Sequence, residues 1–379
     1  MVFFIVYFKG VIYIMKNNFS SEFFLASHSA NGFYSIFNEL YFPDENWFCY
    51  VLKGGPGTGK STLIKEISKF AQKAKIKFEL IHCSSDPKSL DGIIFPDLKK
   101  CIADGTSPHI IEPKYPGISD EIINLGEFWD KKSLQKSAEK MLKLYKENSL
   151  YHKKTASYLK AYGEIERQNS FENFINKEKL EKYSLNLSKK IFGLKSFPKK
   201  GKEKLRLISA VTPEGEIFFE KTLYHYANNI YLVENKFRKI GSYILNKIKK
   251  RATEKGFDII LCPSAILGEE YLDSVIIPKL NLAFATTDKI NLEKIPKNIK
   301  IKKINEKRFL KKNEIAEHKN MIKFNFKLQE TFLNEAIGNL KKALEIHDKI
   351  EEKYIKAMNF KKIKKITDEL TSAIYSKLS

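Results

Sequence analysis

A glycine-rich loop between an apolar run and an amphipathic stretch constrains this 379-residue chain more than any other segment. The loop fits the pattern GxxxxGK[ST], known as Walker A, and consists of Gly54, Gly55, Pro56, Gly57, Thr58, Gly59, Lys60, Ser61 and Thr62. Phe48–Lys53 is apolar and predicts a strand, whereas residues 61–74 have helical periodicity. Glycines let backbone N–H groups turn inward around phosphate oxygens, because no Cβ blocks the approach. The loop therefore predicts a phosphate site at the start of a helix, where the helix dipole favours anions.

The residues around the loop predict ATP and Mg²⁺ as cofactors. Lys60 would contact the β- and γ-phosphates, and the hydroxyl of Ser61 would join the Mg²⁺ shell. A second metal ligand should be a carboxylate at the end of a neighbouring strand, and Asp104 is the best candidate. Asp86 follows the predicted strand 77–83 and could orient the attacking water or an acceptor hydroxyl. We therefore expect Lys60, Asp104 and Asp86 as catalytic residues, and Ser61 and Asp104 as metal ligands.

The chain also contains an internal duplication. Three blocks align without internal gaps: residues 50–67 with 231–248, residues 32–40 with 215–223, and residues 78–83 with 257–262. Each half has the pattern strand, helix, strand, helix, strand, which is typical of a parallel sheet with crossover helices. A long polar stretch with helical periodicity follows each half, and residues 151–152 faintly resemble residues 346–347. We expect an α/β fold of two tandem P-loop NTPase-like parallel-sheet halves, each followed by a long helical segment.

The second half has lost the phosphate-binding residues. Ser242 persists, but the alignment replaces Lys60 by Gly241, Gly54 by Asn235, Gly59 by Ile240 and Asp104 by Thr286. We therefore expect one working nucleotide site, with a second half that packs against, regulates or completes the first. Arg238 in the altered loop could act as an arginine finger between the halves, but a surface arginine is the simpler interpretation.

Simpler interpretations stay open for several polar residues near the site. Asp104 precedes a glycine and Asp86 precedes a proline, and both dipeptides are common in turns. Asp91 has a counterpart, Asp273, in the second half, which favours a structural role. His109 could contact phosphate or act as a base, but a loop histidine without a chemical role is the simpler interpretation.

The net charge of +22 is concentrated in the two helical stretches. Residues 131–200 hold 18 basic and 7 acidic residues, and residues 300–379 hold 20 and 11. Most of the basic residues are lysine, whereas arginine is the usual bidentate reader of phosphate and guanine. An acidic protein or a nucleic acid is the partner class that this charge favours, and it should contact the helices.

These observations predict five segments: an N-terminal extension (1–20), an active P-loop half (21–130), a basic helical segment (131–204), a degenerate P-loop-like half (205–299) and a second basic helical segment (300–379). The extension is apolar, but Lys9 and Gly10 interrupt it. Its apolar run is shorter than the about 20 residues that a membrane span needs. Met15 is a plausible alternative start. Four cysteines without CxxC spacing favour a reducing, cytoplasmic setting.

The chain resembles a poorly characterised bacterial family of duplicated P-loop ATPases. The resemblance rests on the Walker A run and on residues 82–92, 104–109, 113–117 and 124–130, and it covers most of the chain after Ser20. It implies ATP binding and hydrolysis but supplies no substrate. Both halves can carry a P-loop in that family, whereas the second one departs here, which argues against a two-site cooperative scheme.

Three functions are consistent with these residues. The favoured one is a Mg²⁺-dependent ATPase with a single site, and its turnover should be slow because Gly105, not glutamate, follows Asp104. The first alternative is a small-molecule or nucleotide kinase, in which Asp86 would accept the proton of the acceptor hydroxyl. The second alternative is a nucleic-acid-associated factor whose binding ATP switches. The sequence leaves the oligomeric state open.

Overall fold

The computed structural model describes residues 4–8, 11–15, 20–168, 171–286, 290 and 295–375. The strands of the first half are β1 (Phe4–Phe8), β2 (Val11–Met15), β3 (Ser21–Phe24), β4 (Ala26–Ser29), β5 (Gly32–Ser35), β6 (Phe48–Lys53), β7 (Glu79–His82), β8 (Leu90–Phe95), β9 (Lys100–Asp104) and β10 (Asp120–Asn124). Its helices are α1 (Lys60–Lys73), α2 (Lys131–Lys136), α3 (Ala138–Gln168) and α4 (Lys177–Phe192).

The second half repeats this order of elements. Its strands are β11 (Glu203–Leu205), β12 (Ser209–Thr212), β13 (Gly215–Phe218), β14 (Asn229–Val233), β15 (Ile259–Ser264), β16 (Gly268–Ile277), β17 (Leu282–Ala285) and β18 (Lys300–Ile304). Its helices are α5 (Glu220–Tyr226), α6 (Arg238–Glu254), α7 (Lys312–Glu317), α8 (Lys319–Ala357) and α9 (Phe360–Tyr375). In the predicted N-terminal extension, β1 and β2 form an antiparallel pair, and the break at Lys9 and Gly10 lies outside the described residues.

Each half is built on a six-stranded sheet, and both sheets have the same strand order. The order is β3-β7-β8-β9-β6-β10 in the first half and β11-β15-β16-β17-β14-β18 in the second. The predicted division into two α/β halves is therefore confirmed, and the duplication extends to the edge strands.

The prediction of parallel sheets is wrong, because both sheets are mixed. β8 runs antiparallel to β7 and β9, and β16 runs antiparallel to β15 and β17. The turn between β7 and β8 is tight, with the N–H of Ser89 donating to the carbonyl of Asp86 at 2.8 Å. A parallel crossover needs a dozen or more residues, so this short connection forces the chain to return antiparallel.

The two sheets pack face to face around one apolar core. That core combines Val51, Ile81 and Ala103 of the first sheet with Leu232 and Ile276 of the second. The sheet edges also meet, because Phe24 and Leu207 exchange two backbone hydrogen bonds of 2.8 and 3.1 Å. The halves therefore form one continuous structure.

The helical segments are exchanged between the halves. α9, from the end of the chain, packs against α1 of the first half, and α4 packs against α6 of the second. On the α1 side, Leu63, Ile64 and Ile67 share a core with Leu370 and Ile374 of α9. Each helical segment therefore covers the loop-bearing helix of the other half.

α3 and α8 form a long antiparallel pair. Gln329 near the start of α8 donates to Glu166 near the end of α3 at 2.9 Å, and Asn148 donates to the carbonyl of Ala343 at 2.7 Å. Among the described residues, none of the helices is long and apolar enough to cross a membrane.

The helical segments correspond in a register different from the faint resemblance noted in the sequence. The halves form reciprocal antiparallel bridges, Trp129 with Met358 and Leu310 with Ile175. The bridges place Trp129 in correspondence with Leu310 and Ile175 in correspondence with Met358, a shift of 181 to 183 positions. The resemblance of residues 151–152 to 346–347 implies a shift of 195 and is not the register of the repeat.

Candidate functional site

The glycine-rich loop joins the end of β6 to the start of α1, as the sequence predicts. Gly57 and Gly59 have φ values of 66° and 93°, a left-handed backbone that favours glycine. The first turn of α1 begins with the N–H of Leu63 donating to the carbonyl of Gly59 at 2.9 Å. The loop and the first turn of α1 border a cavity of about 250 Å³.

Lys60 is folded back onto the loop. Its ammonium donates to the carbonyls of Gly54 and Gly55 at 2.7 and 2.8 Å, and it lies 3.5 Å from Oδ2 of Asp104. The side chain is buried. Two carbonyl dipoles and one carboxylate therefore surround and balance the buried cation.

Ser61 and Asp104 both line the cavity. Oγ of Ser61 accepts a hydrogen bond of 3.0 Å from the N–H of Leu90, at the start of β8. Oδ1 of Asp104 accepts from the N–H and the hydroxyl of Thr106, which fixes the carboxylate at the end of β9. Hydroxyl and carboxylate oxygens are hard ligands of the kind Mg²⁺ takes, so this donor set fits the predicted metal.

Asp86 lines the same cavity, but both of its carboxylate oxygens are engaged within its own turn. Oδ1 accepts from the N–H of Lys88 at 3.2 Å, and Oδ2 accepts from the hydroxyl of Ser89 at 2.5 Å. The turn interpretation therefore accounts for its contacts.

Asp91 and His109 lie beside Asp104, an arrangement that the sequence did not single out. Oδ2 of Asp91 is 3.6 Å from Nε2 of His109, and both side chains are buried. Burial, and secondarily Asp104, holds the pKa of Asp91 well above its usual range. Burial lowers the pKa of His109, with Lys60 adding to the effect and Asp104 opposing it. Asp91, Asp104 and His109 each offer a ligand atom within 4.8 Å of the others and could hold a metal ion.

Helices α3 and α8 supply the opposite wall of the cavity. Its polar lining residues there are Asn148, His152, His347 and Glu351. These four residues were not predicted from the sequence, because their approach to the loop depends on how α3 and α8 pack over it.

The turn from α8 into α9, residues 351–360, lies directly on the loop. A Cβ on Gly55 would lie 2.8 Å from Cε1 of Tyr354, and one on Gly57 would lie 2.8 Å from the carbonyl oxygen of Glu351. Only glycine permits this close approach at both positions. We call residues 351–360 the α8–α9 corner.

The corresponding loop of the second half is filled by protein. A Cβ on Gly241, the counterpart of Lys60, would lie 2.7 Å from Cγ2 of Thr286. The N–H of Phe237 donates to a carboxylate oxygen of Glu306 at 2.9 Å. Side chains and a carboxylate therefore occupy the region that phosphate would need.

Arg238 is not the surface residue of the simpler interpretation. It is partly buried, with its guanidinium 5.7 Å from the ring centre of Tyr162. Burial acts to lower its pKa, but Tyr162, Glu216, Glu166 and Asp273 outweigh burial and raise it. The charge of Arg238 is thus compensated by Tyr162 and Glu166 of α3 together with Glu216 and Asp273 of the second half, and these contacts account for the arginine without a role as an arginine finger.

Ser242, the residue that persists in the second loop, has a structural explanation. Its Oγ accepts from the N–H of Leu272 at 3.1 Å, as Ser61 does from Leu90 at 3.0 Å. The serine therefore anchors the antiparallel strand to the loop-bearing helix in both halves, whether or not the loop retains its lysine.

Comparisons of the chain with family models, with curated proteins and with solved structures found no match. The function must therefore be inferred from the site itself.

Proposed function

We propose that the chain binds ATP with Mg²⁺ at the loop around Lys60 and hydrolyses it slowly, with one working site per chain. The proposal rests on one juxtaposition: Lys60, Ser61 and Asp104 border a single cavity at the N-terminus of α1. This combination supplies an anion site, a cation for the β- and γ-phosphates and two oxygen ligands for the metal.

Binding of the triphosphate would exchange one set of contacts for another. The ammonium of Lys60 would leave the carbonyls of Gly54 and Gly55 and contact phosphate oxygens, and backbone N–H groups of the loop would contact the β-phosphate. Ser61 and Asp104 would hold Mg²⁺, which neutralises phosphate charge during transfer. The loop lysine loses little in this exchange, because two carbonyl dipoles give way to full negative charges.

The proposed cycle couples the nucleotide to the helices. The cavity of about 250 Å³ lies below the roughly 300–1,000 Å³ of typical small-molecule pockets. The α8–α9 corner covers the loop, so a nucleotide enters when this corner moves away from Gly55 and Gly57. Since the corner joins α8 to α9, such a movement would be transmitted to the α3/α8 pair.

The direct test compares ATP binding and phosphate release in wild type, Lys60→Ala and a control variant, Lys239→Ala, in the second loop. Wild type and the control should bind ATP with Mg²⁺ and release phosphate, and Lys60→Ala should lose both. Circular dichroism and thermal melting establish that each variant is folded. Failure of the folded wild type to bind ATP would refute the proposal.

A small-molecule or nucleotide kinase is the second candidate. The observation that favours it is the polar helical wall opposite the loop, with Asn148, His152, His347 and Glu351, where an acceptor could bind. Screening hydroxyl compounds and nucleotides for ATP-dependent phosphorylation separates the two functions. A phosphorylated product formed faster than free phosphate would favour the kinase.

A further inference from the structure

The helical wall brings a histidine pair to the proposed nucleotide site. His152 of α3 lines the cavity, and its Nδ1 lies 3.1 Å from Nε2 of His28 on β4. The two rings stack with centres 5.1 Å apart and an interplanar angle of 18°. Since the bond uses Nδ1 of His152, the nitrogen that remains for a ligand in the cavity is Nε2.

Burial and a ring contact restrict the side chain of His28. Its side chain is buried, and its ring meets the ring of Phe33 edge to face with centres 5.5 Å apart. Burial, and then His152, lowers the pKa of His28 to about 3. Burial, and then His347, lowers the pKa of His152. Both imidazoles are therefore neutral at neutral pH, and the Nδ1···Nε2 contact holds one proton. With that proton on Nδ1 of His152, Nε2 of His152 carries the lone pair.

Four carboxylates border the cavity, and the three that lie on the sheet side are engaged elsewhere, whereas Glu351 belongs to the α8–α9 corner. Asp86 is bonded within its turn, Asp104 is held by Thr106 and faces Lys60, and Asp91 faces His109. For water activation the sequence offered Asp86 and, as a less favoured base, His109. A neutral imidazole on the opposite wall has the lone pair that this step requires.

The duplication gives an internal comparison. Ser29 and Thr212 make the same hydrogen bond, each donating its hydroxyl to the carbonyl of the glycine that begins the next strand, Gly32 or Gly215. This register places Val211 at the position of His28. The half that has lost the loop lysine thus also has an apolar residue in place of the supporting histidine.

We propose that His152, oriented by His28, accepts the proton of the water that attacks the γ-phosphate. This inference rests on the proposed function. In the step, Nε2 of His152 takes a proton from water while the water oxygen bonds to the γ-phosphorus. The bond from that phosphorus to the bridging oxygen breaks, and its electron pair leaves with ADP. The imidazolium then returns its proton to phosphate or solvent, so atoms and charge balance.

The experiment measures steady-state phosphate release and nucleotide affinity in His152→Gln and His152→Ala, with His318→Asn as the control. His318 lies at the start of α8, where its ring packs against Phe174 at 5.2 Å. Loss of a general base costs about 10²–10⁴-fold, so kcat should fall by at least about 10²-fold in both His152 variants. The affinity for ATP should stay within about threefold of wild type, as expected when an interaction specific to the transition state is removed. Free imidazole should restore part of the activity of His152→Ala.

His28 is tested as a positioning residue. His28→Phe keeps a ring but removes the acceptor for Nδ1–H of His152, and it should lower kcat without changing KM. His28→Gln keeps an acceptor and should recover part of the loss.

Several results would overturn the proposal. Phosphate release by His152→Gln at the wild-type rate would do so, and so would an equal loss of nucleotide binding, which would indicate a structural role. A loss of turnover with His347→Asn instead would assign the base to α8. Wild type that binds ATP without hydrolysing it would refute the role of His152 but leave ATP binding intact, whereas absence of binding would refute the proposed function itself.

Discussion

Ser61 follows the loop lysine, and Ser242 is its counterpart in the second half. A comparison of the two serines separates a structural role from a metal-binding role within one molecule. Each Oγ accepts a backbone N–H of an antiparallel strand, from Leu90 at the start of β8 at 3.0 Å and from Leu272 within β16 at 3.1 Å. Only Ser61 borders the cavity with Lys60. Alanine at either position should therefore have the same structural effect and a different functional effect.

The structural effect follows from the N–H group that loses its acceptor. Leaving a buried donor unsatisfied costs about 1–3 kcal/mol. Leu90 and Leu272 are both buried, and Ser242 is itself 6% exposed. We expect Ser61→Ala and Ser242→Ala to lower the free energy of unfolding by similar amounts within this range, measured by urea denaturation.

The functional effect should appear in Ser61→Ala alone. Removing one oxygen ligand should reduce the gain in ATP affinity that Mg²⁺ confers by about tenfold, or ~1.4 kcal/mol. The assay is calorimetric titration of ATP with Mg²⁺ and with EDTA, for wild type and both variants. If Ser61→Ala loses stability but keeps the wild-type dependence on Mg²⁺, Ser61 is a strand anchor only and its assignment as a metal ligand is wrong.

Three further predictions concern the junction of the halves, a buried carboxyl group and the cover of the site. Arg206→Ala removes one of the two cations that contact the buried carboxylate of Glu79, which lies 3.0 Å from Nε of Arg206 and 2.5 Å from Nζ of Lys204. Because Lys204 remains, unfolding in urea should show a loss at the lower end of about 3–5 kcal/mol, and a loss below about 1 kcal/mol, the value of an exposed ion pair, would contradict it. Burial raises the pKa of Glu306 from 4.5 to about 7, so its contribution to stability is complete below pH 4.5 and is lost as pH rises through about 7. Glu306→Gln should remove this dependence, worth about 3 kcal/mol, and unfolding at pH 5 and pH 8 checks it. Tyr354→Ala removes the ring that lies against Gly55, so stopped-flow binding of a fluorescent nucleotide should become faster; an unchanged rate would show that the corner does not limit entry.

In the proposed function, the exchange of helical segments gives the second half a role at the first loop, although its own loop is filled by protein. The α8–α9 corner belongs to the second repeat, yet it covers the loop of the first. In the second half Thr286 lies against Gly241, and the ring of Phe237 contacts that of Phe326 on α8, the helix that carries the corner, with centres 5.8 Å apart. In the proposed function the degenerate half completes the site, which is one of the alternatives that the sequence left open.

Local patterns in the sequence determined the loop and its flanking elements. Phe48–Lys53 forms the expected strand, and α1 begins at Lys60 within one residue of the expected helix. These patterns succeed because the spacing of apolar residues and the backbone freedom of glycine act over a few neighbouring positions. The duplication was also visible, since matched residues repeat in the same order in both halves.

Only the tertiary structure decided which distant residues meet. The antiparallel course of β8 depends on its pairing with β7 and β9. Ser61 contacts β8 through Leu90, and Ser242 contacts the corresponding strand β16 through Leu272. The meeting of His28 with His152 joins residues 124 positions apart. Such contacts follow from the packing of whole sheets and helices, which composition and periodicity do not encode. The sequence by itself therefore determined the position of the glycine-rich loop and its flanking elements, and the packing of the two halves decided which side chains surround the loop.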